Sequence, residues 1–237
     1  FSIAGPYSRD LLRKLVDSNF DISNDAFPYM AAATVLICGG ITARLFRISF
    51  SGEMAFEIGV PNRYGDAMIR AIMAAGEEFG IAPYGLEALS AMRIEKGHVA
   101  GLELNGQTTP RDLGLEKMIA SKKDCIGKEM SRRPAMLEPD RPIFVGFRPL
   151  DPATKLTGGA HFLDIGSEPS LAADLGHMTS VTFSPTLNSW IGLGFIKRGR
   201  ERIGQRVRAV DFVRNSDTLV EICDPIFFDR EGERLRA

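Results

Sequence analysis

A chain of 237 residues with 44% hydrophobic and 25% charged residues has an ordinary globular make-up, long enough for one large domain or two small ones. Its formal net charge of −1 gives no global field to draw nucleic acid or an anionic membrane surface, and no apolar run could span a bilayer. Cys38, Cys125 and Cys223 are scattered and odd in number, which excludes a disulfide framework and a metal-ligand spacing; they read as small apolar fillers and fit a reducing cytoplasm.

The opening residues, Phe1-Ser2-Ile3-Ala4-Gly5-Pro6, place no basic segment before an apolar stretch, so they do not form a signal peptide. They start inside a strand-like run without a Met and are expected to continue a longer chain. Ser8 is placed to cap a short helix with Leu11, Leu12, Leu15 and Val16 on its apolar face. Thr34–Cys38 and Ile41–Ser49 are β-rich runs around Gly39-Gly40, a hairpin signal. Ala55–Val60 predicts a third strand. Pro61 opens a helix with Tyr64, Met68, Ile69, Ile72 and Met73 at helical spacing, ending near Gly76. A second helix is predicted from Leu86 to Lys96, stopped by Gly97.

Gly101, Asn105 and Gly106 mark a loop, and Asp112–Lys123 is short, mixed and partly helical. Ser131–Pro142 holds Pro134, Pro139, Pro142 and many charges, and reads as a linker. Beyond it, short β-like runs at Ile143–Arg148, His177–Phe183, Ile191–Lys197, Arg206–Val210 and Thr218–Cys223 predict a small barrel or sandwich. The expected organisation is an α+β domain over residues 1–132 followed by an all-β barrel domain over 133–237.

Glu57 lies in a strand between Phe56 and Ile58, so the alternation of side chains puts it on the face opposite both. An exposed strand acid explains it. So does a carboxylate that grips a flat, donor-rich heterocycle through two parallel charge-assisted hydrogen bonds. Arg93 sits on an apolar helical stripe with Leu89 and Gly97 at spacings of four; it is two residues from Glu95 and cannot face it. It is either a surface charge or an arginine that reaches for a carboxylate or a ligand. Lys197, Arg198, Arg200, Arg202, Arg206 and Arg208 form a basic run with Glu201 as its local counterweight: a solvated face, or a means of attracting an anionic ligand tail. His98, His161 and His177 show no metal spacing, and Ser184 lacks the glycine flanks of a nucleophile elbow.

Four stretches taken in order resemble the folate-binding aminomethyltransferase family, to which the glycine cleavage T-protein belongs: Ile3–Leu12, Ser51–Ile58, Met92–Gly97, and Thr179–Leu187 with Ile191–Gly194. Within the family, Phe27-Pro28, Arg44–Phe50, Thr109–Leu115, Ser121–Lys123, Ile126–Lys128 and Asp229–Leu235 resemble the C-terminal region of the α subunits of heterotetrameric sarcosine oxidases.

The resemblance implies an α+β folate-binding domain, lacking its N-terminal part, followed by a β-barrel. It implies tetrahydrofolate as ligand, with Glu57 holding the pterin and Arg93 lining the same site. In such oxidases, flavin and NAD are expected elsewhere in the parent enzyme; a flavin oxidises sarcosine to an imine, and the folate domain captures the one-carbon unit as 5,10-methylenetetrahydrofolate. The implied partners are the other subunits of a hetero-oligomeric oxidase. The family's catalytic Asp lies upstream of Gly5-Pro6, so no catalytic residue is assigned, and the segment alone is expected to be inactive. The family's Tyr after the Glu-x-Gly stretch has no counterpart at His98–Gly101, and Phe227-Phe228 stand where paired tyrosines are usual. A stand-alone aminomethyltransferase and a non-catalytic assembly module with the same fold are the alternatives.

Overall fold

The computed structural model describes residues 1–119 and 122–237. By packing they fall into two compact units, Phe1–Arg93 with Asp229–Ala237, and Ile94–Phe228. This partition differs from a cut at 132/133, because the described residues between 94 and 132 group with the barrel while the last nine return to the first unit.

The first unit is built on a four-stranded antiparallel sheet in the order β1-β4-β3-β2: β1 Ser2–Ala4, β4 Ala55–Gly59, β3 Ile41–Phe46 and β2 Ala32–Ile37. The β2–β3 hairpin turns at Cys38-Gly39-Gly40, all three at positive φ, the conformation for which the glycine pair is suited. Helices α1 (Ser8–Arg13) and α2 (Gly65–Gly76) cover one face of the sheet. Leu11, Leu12, Met68 and Ile72 from the helices close on Val35, Leu45, Phe56 and Ile58 from the strands. The spacing of these apolar positions is what sequence periodicity predicts. Ser8 differs from its expected role. It is the first helical residue rather than the cap, and its hydroxyl donates to Met54 O at 3.2 Å.

Helix α3 runs over Leu86–Glu95, and Gly97 follows its end at φ 70°. In the second unit the segment after α3 forms turns, with a short 3-10 turn at Glu116–Met118. Ser121, named in one of the matching stretches, lies outside the described residues. The expected linker is two 3-10 turns, Met130–Arg132 and Pro134–Met136, leading straight into β5 (Pro142–Pro149).

The barrel closes in the order β10-β5-β8-β7-β6-β9, with β6 His161–Leu163, β7 Gly176–Ser184, β8 Ser189–Lys197, β9 Arg206–Asp211 and β10 Ser216–Cys223. The five predicted β runs are all there. The sixth strand, β6, has three residues and bridges β9 to β7. Inside, Phe147 stacks on Phe162 at 4.0 Å, surrounded by Val145, Met178, Val207 and Val220. Strand β8 is buried on both faces: Ile196 points into the barrel, while Ile191, Leu193 and Phe195 pack outward against Ile94, Leu113 and Phe227. That outer cluster is the physical reason residues 94–115 belong with the barrel. A short helix, α4, covers Glu233–Arg236.

Candidate functional site

Glu57 occupies the middle of β4, opposite Ser2 of β1 and Phe46 of β3. Phe56 and Ile58 on either side are buried under the helices, and Glu57 is half-buried on the other face. Cross-strand neighbours share a face, so a carboxylate stands beside the half-buried ring of Phe46. Two acceptor oxygens next to an aromatic wall are what a flat heterocycle rich in N–H donors requires. Phe46 was not singled out from the sequence; its register opposite Glu57 is visible only once the strands are paired.

Arg93 lies in the last turn of α3 and is 8% exposed, with an interaction of its own. It is therefore not the surface charge of the blander alternative. Its neighbour Glu95 has a clear structural role in the second unit. Ser184 Oγ donates to Glu95 Oε1 at 2.5 Å and Thr186 Oγ1 to Oε2 at 3.2 Å, while the Glu95 carbonyl accepts from the amides of Phe227 (2.9 Å) and Phe228 (3.1 Å). Two matching stretches, Met92–Gly97 and Thr179–Leu187, thus meet through a buried carboxylate and two hydroxyls.

The other end of Thr179–Leu187 is tied down in the same way. Glu103 is fully buried and accepts from Thr179 Oγ1 (2.5 Å), Ser180 Oγ (2.7 Å) and the amide of Ala100 (2.8 Å). Successive strand residues normally face opposite ways. Here the register of β7 against β8 slips between Met178 and Ser180, and the irregularity turns two adjacent hydroxyls to one carboxylate. Buried carboxylates fully supplied with donors are stable structural fixtures. Sequence reading took residues 99–109 as plain loop and missed Glu103, because its two hydroxyl donors lie more than seventy residues away.

The basic run belongs to the second unit, and five of its six cations have an acceptor outside the run among the described residues. Lys197 Nζ donates to Asp174 O at 2.8 Å; Arg198 Nε is 3.1 Å from Glu201 and 3.8 Å from Asp140; Arg200 binds Glu116 at 3.0 Å and Arg111 O at 3.0 Å. Arg202 and Arg208 reach Asp164 and Asp217. An incoming anionic tail would have to compete with these acceptors.

Among the cysteines, Cys38 and Cys125 are exposed and so are not core fillers; Cys223 is half-buried, and burial pushes its thiol up to about 12. Among the described residues no group of His, Cys, Asp and Glu could hold a metal ion, and no helix is long and apolar enough to cross a membrane. A largely apolar cavity of about 450 Å³ lies in the first unit between β1, α1, α2 and residues 79–84, with Tyr7, Ile69, Met73 and Tyr84 on its wall; neither Glu57 nor Arg93 lines it.

Comparison with known proteins also divides the chain in two, with the boundary between residues 123 and 143. Residues 1–123 match the model of the GCVT N-terminal domain, and residues 143–229 that of the glycine cleavage T-protein C-terminal barrel domain. The sarcosine oxidase subunit alpha of Rhizobium meliloti (strain 1021) is 45% identical over 238 residues, which cover 100% of this chain and 24% of that protein. The corresponding subunit of Corynebacterium sp. (strain P-1) is 39% identical, over 98% of this chain and 24% of its own length. An aminomethyltransferase of Thermoanaerobacter sp. (strain X514) is 30% identical, over 98% of this chain and 60% of its own. The chain thus spans about a quarter of the length of the oxidase subunits it matches. In fold it is similar to the glycine cleavage system aminomethyltransferase T from Bartonella henselae, with a TM-score of 0.78 at 19% identity, over 97% of this chain and 59% of that one.

Proposed function

Because the chain belongs to the glycine cleavage T-protein family, we propose that it is the tetrahydrofolate-binding portion of a sarcosine-oxidase-like α subunit. The observation that carries this reading is the difference in identity. Over essentially the whole chain it is 45% identical to an oxidase α subunit and 30% identical to an aminomethyltransferase. In this reading the other subunits of a hetero-oligomeric oxidase are its partners.

When bound, tetrahydrofolate would supply the amine nucleophile that takes up the one-carbon unit of oxidised sarcosine, with release of glycine and formation of 5,10-methylenetetrahydrofolate. What this chain contributes is binding and orientation. Glu57 accepts two parallel hydrogen bonds from the pterin, Phe46 supports the ring, and Arg93 lines the site. Holding the nucleophile beside its electrophile makes capture effectively unimolecular. Glu57 and Phe46 fit this role because they share one face of the sheet, away from the helices. The proposed activity is that of the assembled enzyme, which must supply the flavin and the sarcosine site.

Glu57→Gln replaces one acceptor oxygen by a donor that would face a pterin N–H. The loss of one charge-assisted hydrogen bond, about 1.5 kcal/mol, predicts roughly tenfold weaker tetrahydrofolate binding. Calorimetric titration of the complete native enzyme measures it. An affinity equal to that of the unmodified protein removes Glu57 from the pterin site.

A further inference from the structure

Two arginines of the first unit stand apart from every surface charge. Arg47, just after β3, is 0% exposed, and Arg9 in α1 is 8% exposed. Both guanidiniums lie over the ring of Phe56, at 4.9 Å and 5.3 Å from its centre. Neither is ion-paired with an Asp or Glu side chain among the described residues. Arg47 Nη1 donates to Ala55 O at 3.1 Å, and Nη2 to Ala237 O at 2.8 Å. Arg9 donates through Nη2 to the same Ala237 O at 3.0 Å and to Asn24 Oδ1 at 3.2 Å, and through Nη1 to Ile22 O. Two cations therefore converge on one oxygen of Ala237.

The residues leading to Ala237 are held as well. Asp229 Oδ1 accepts from the amide of Glu233 at 2.9 Å, Leu235 is buried, and Arg234 Nη1 binds Glu53 Oε1 at 2.8 Å. Glu53 and Ala55 flank Met54, whose carbonyl accepts from Gly5 N at 2.8 Å and Ser8 Oγ. Three of the stretches that match the family thus meet at one point: Ile3–Leu12, Ser51–Ile58 and Asp229–Leu235. That point is the foot of β4, two residues before Glu57.

We propose that Arg9 and Arg47 are positioning residues, which bind the tail Asp229–Ala237 to the foot of β4 and thereby fix the carboxylate of Glu57 for its ligand. The role of Glu57 is taken from the reading above; the tether itself stands on the contacts. Arginine suits the task because its planar fork reaches Ala55 O and Ala237 O at once, which a lysine ammonium on its single flexible stem does not. Burial and the nearby charge of Arg9 lower the Arg47 guanidinium to about 10, so it remains a cation at neutral pH and keeps both donors.

The test is hydrogen exchange and tetrahydrofolate titration on the complete native enzyme carrying Arg47→Lys, Glu57→Gln or both. In Arg47→Lys, amides of the peptide Met54–Ile58 should exchange roughly tenfold faster, while those of Ile191–Ile196 in the barrel stay as they were. Affinity should fall about fivefold, and the double variant should bind no worse than Glu57→Gln alone, since both changes act through one carboxylate. Unchanged exchange at Met54–Ile58 overturns the tether. Faster exchange with unchanged affinity makes the tether structural only and overturns the positioning role. If Glu57→Gln alone leaves affinity unchanged, the ligand assignment of Glu57 is what fails, and exchange still decides the tether. Should Arg47→Lys not fold, Arg9→Lys leaves the Arg47–Ala55 contact in place and is read by the same two measurements.

Discussion

Gly97→Ala is expected to lower the melting temperature by roughly 8 °C, from a loss of about 3 kcal/mol. Gly97 follows α3 at φ 70°, where an L-residue with a Cβ costs about 1–2 kcal/mol by itself. A Cβ there would also lie 2.5 Å from Pro225 O and 2.9 Å from its carbonyl carbon. Both neighbours are backbone, and the strand of chain that carries them is pinned next door. The amides of Phe227 and Phe228 donate to Glu95 O, and Phe227 itself is in the outer core with Ile94 and Leu193. The segment therefore cannot move aside without breaking those hydrogen bonds. Gly106→Ala is the control. Its Cβ meets nothing within 4 Å, its φ is not positive, and the change should be near neutral. Scanning calorimetry of the two variants side by side checks the argument, and equal melting temperatures would refute it. The last glycine of Met92–Gly97 thus has a structural reason to be glycine, as its glutamate has in Ser184 and Thr186.

What could be read in the sequence was whatever is set by neighbours in the chain. The β2–β3 hairpin was legible because Gly39-Gly40 sits between two β-rich runs, and α2 because Pro61, Met68, Ile72 and Gly76 mark its start, stripe and end. The face that Glu57 occupies followed from alternation alone. Long-range facts were not legible. Strand β6 has three residues and no period to detect, though without it β7 and β9 would be unpaired edges. Ser8 looks like a cap by type and place, but Met54 O takes its hydroxyl from 46 residues away. The basic run looked unbalanced because Glu116, Asp140, Asp164 and Asp217 are distant from it in sequence. Arg47 fell within a matching stretch, but its role was not legible there, since it joins Ala55 O to Ala237 O, 190 residues on. The face on which Glu57 stands was thus visible from local pattern, whereas the apparatus that holds the motifs in place was not.

Asp112→Asn is expected to cost about 3 kcal/mol at neutral pH, and the cost should shrink in acid. Asp112 is 1% exposed and receives a bidentate grip from Arg141, Nε to Oδ1 at 3.0 Å and Nη2 to Oδ2 at 2.5 Å. Its Oδ2 also accepts from the amide of Thr109 at 2.9 Å, while Thr109 Oγ1 accepts from the amide of Asp112 at 3.3 Å. This reciprocal pattern is the capping box of helix starts, here closing the turn Thr109–Asp112. Arg141 Nη2 donates to Gln107 O as well, and Asp112 O accepts from Phe144 N, so the pair fastens residues 107–112 to the start of β5. Burial alone would raise the Asp112 carboxyl; the hydrogen bonds from Arg141 and Thr109 outweigh it and hold the group below the ordinary carboxylate value. A carboxyl whose folded value is depressed contributes stability above its unfolded value, about 3.9, and loses it as pH falls through the folded value. Asparagine at 112 has no charge to lose. The difference in melting temperature between the parent protein and Asp112→Asn should therefore be constant from about pH 7 to 5 and narrow below about pH 4. A difference that stays the same as the pH falls below about 4 and on through the acid limb would show that shape rather than charge is what Asp112 contributes.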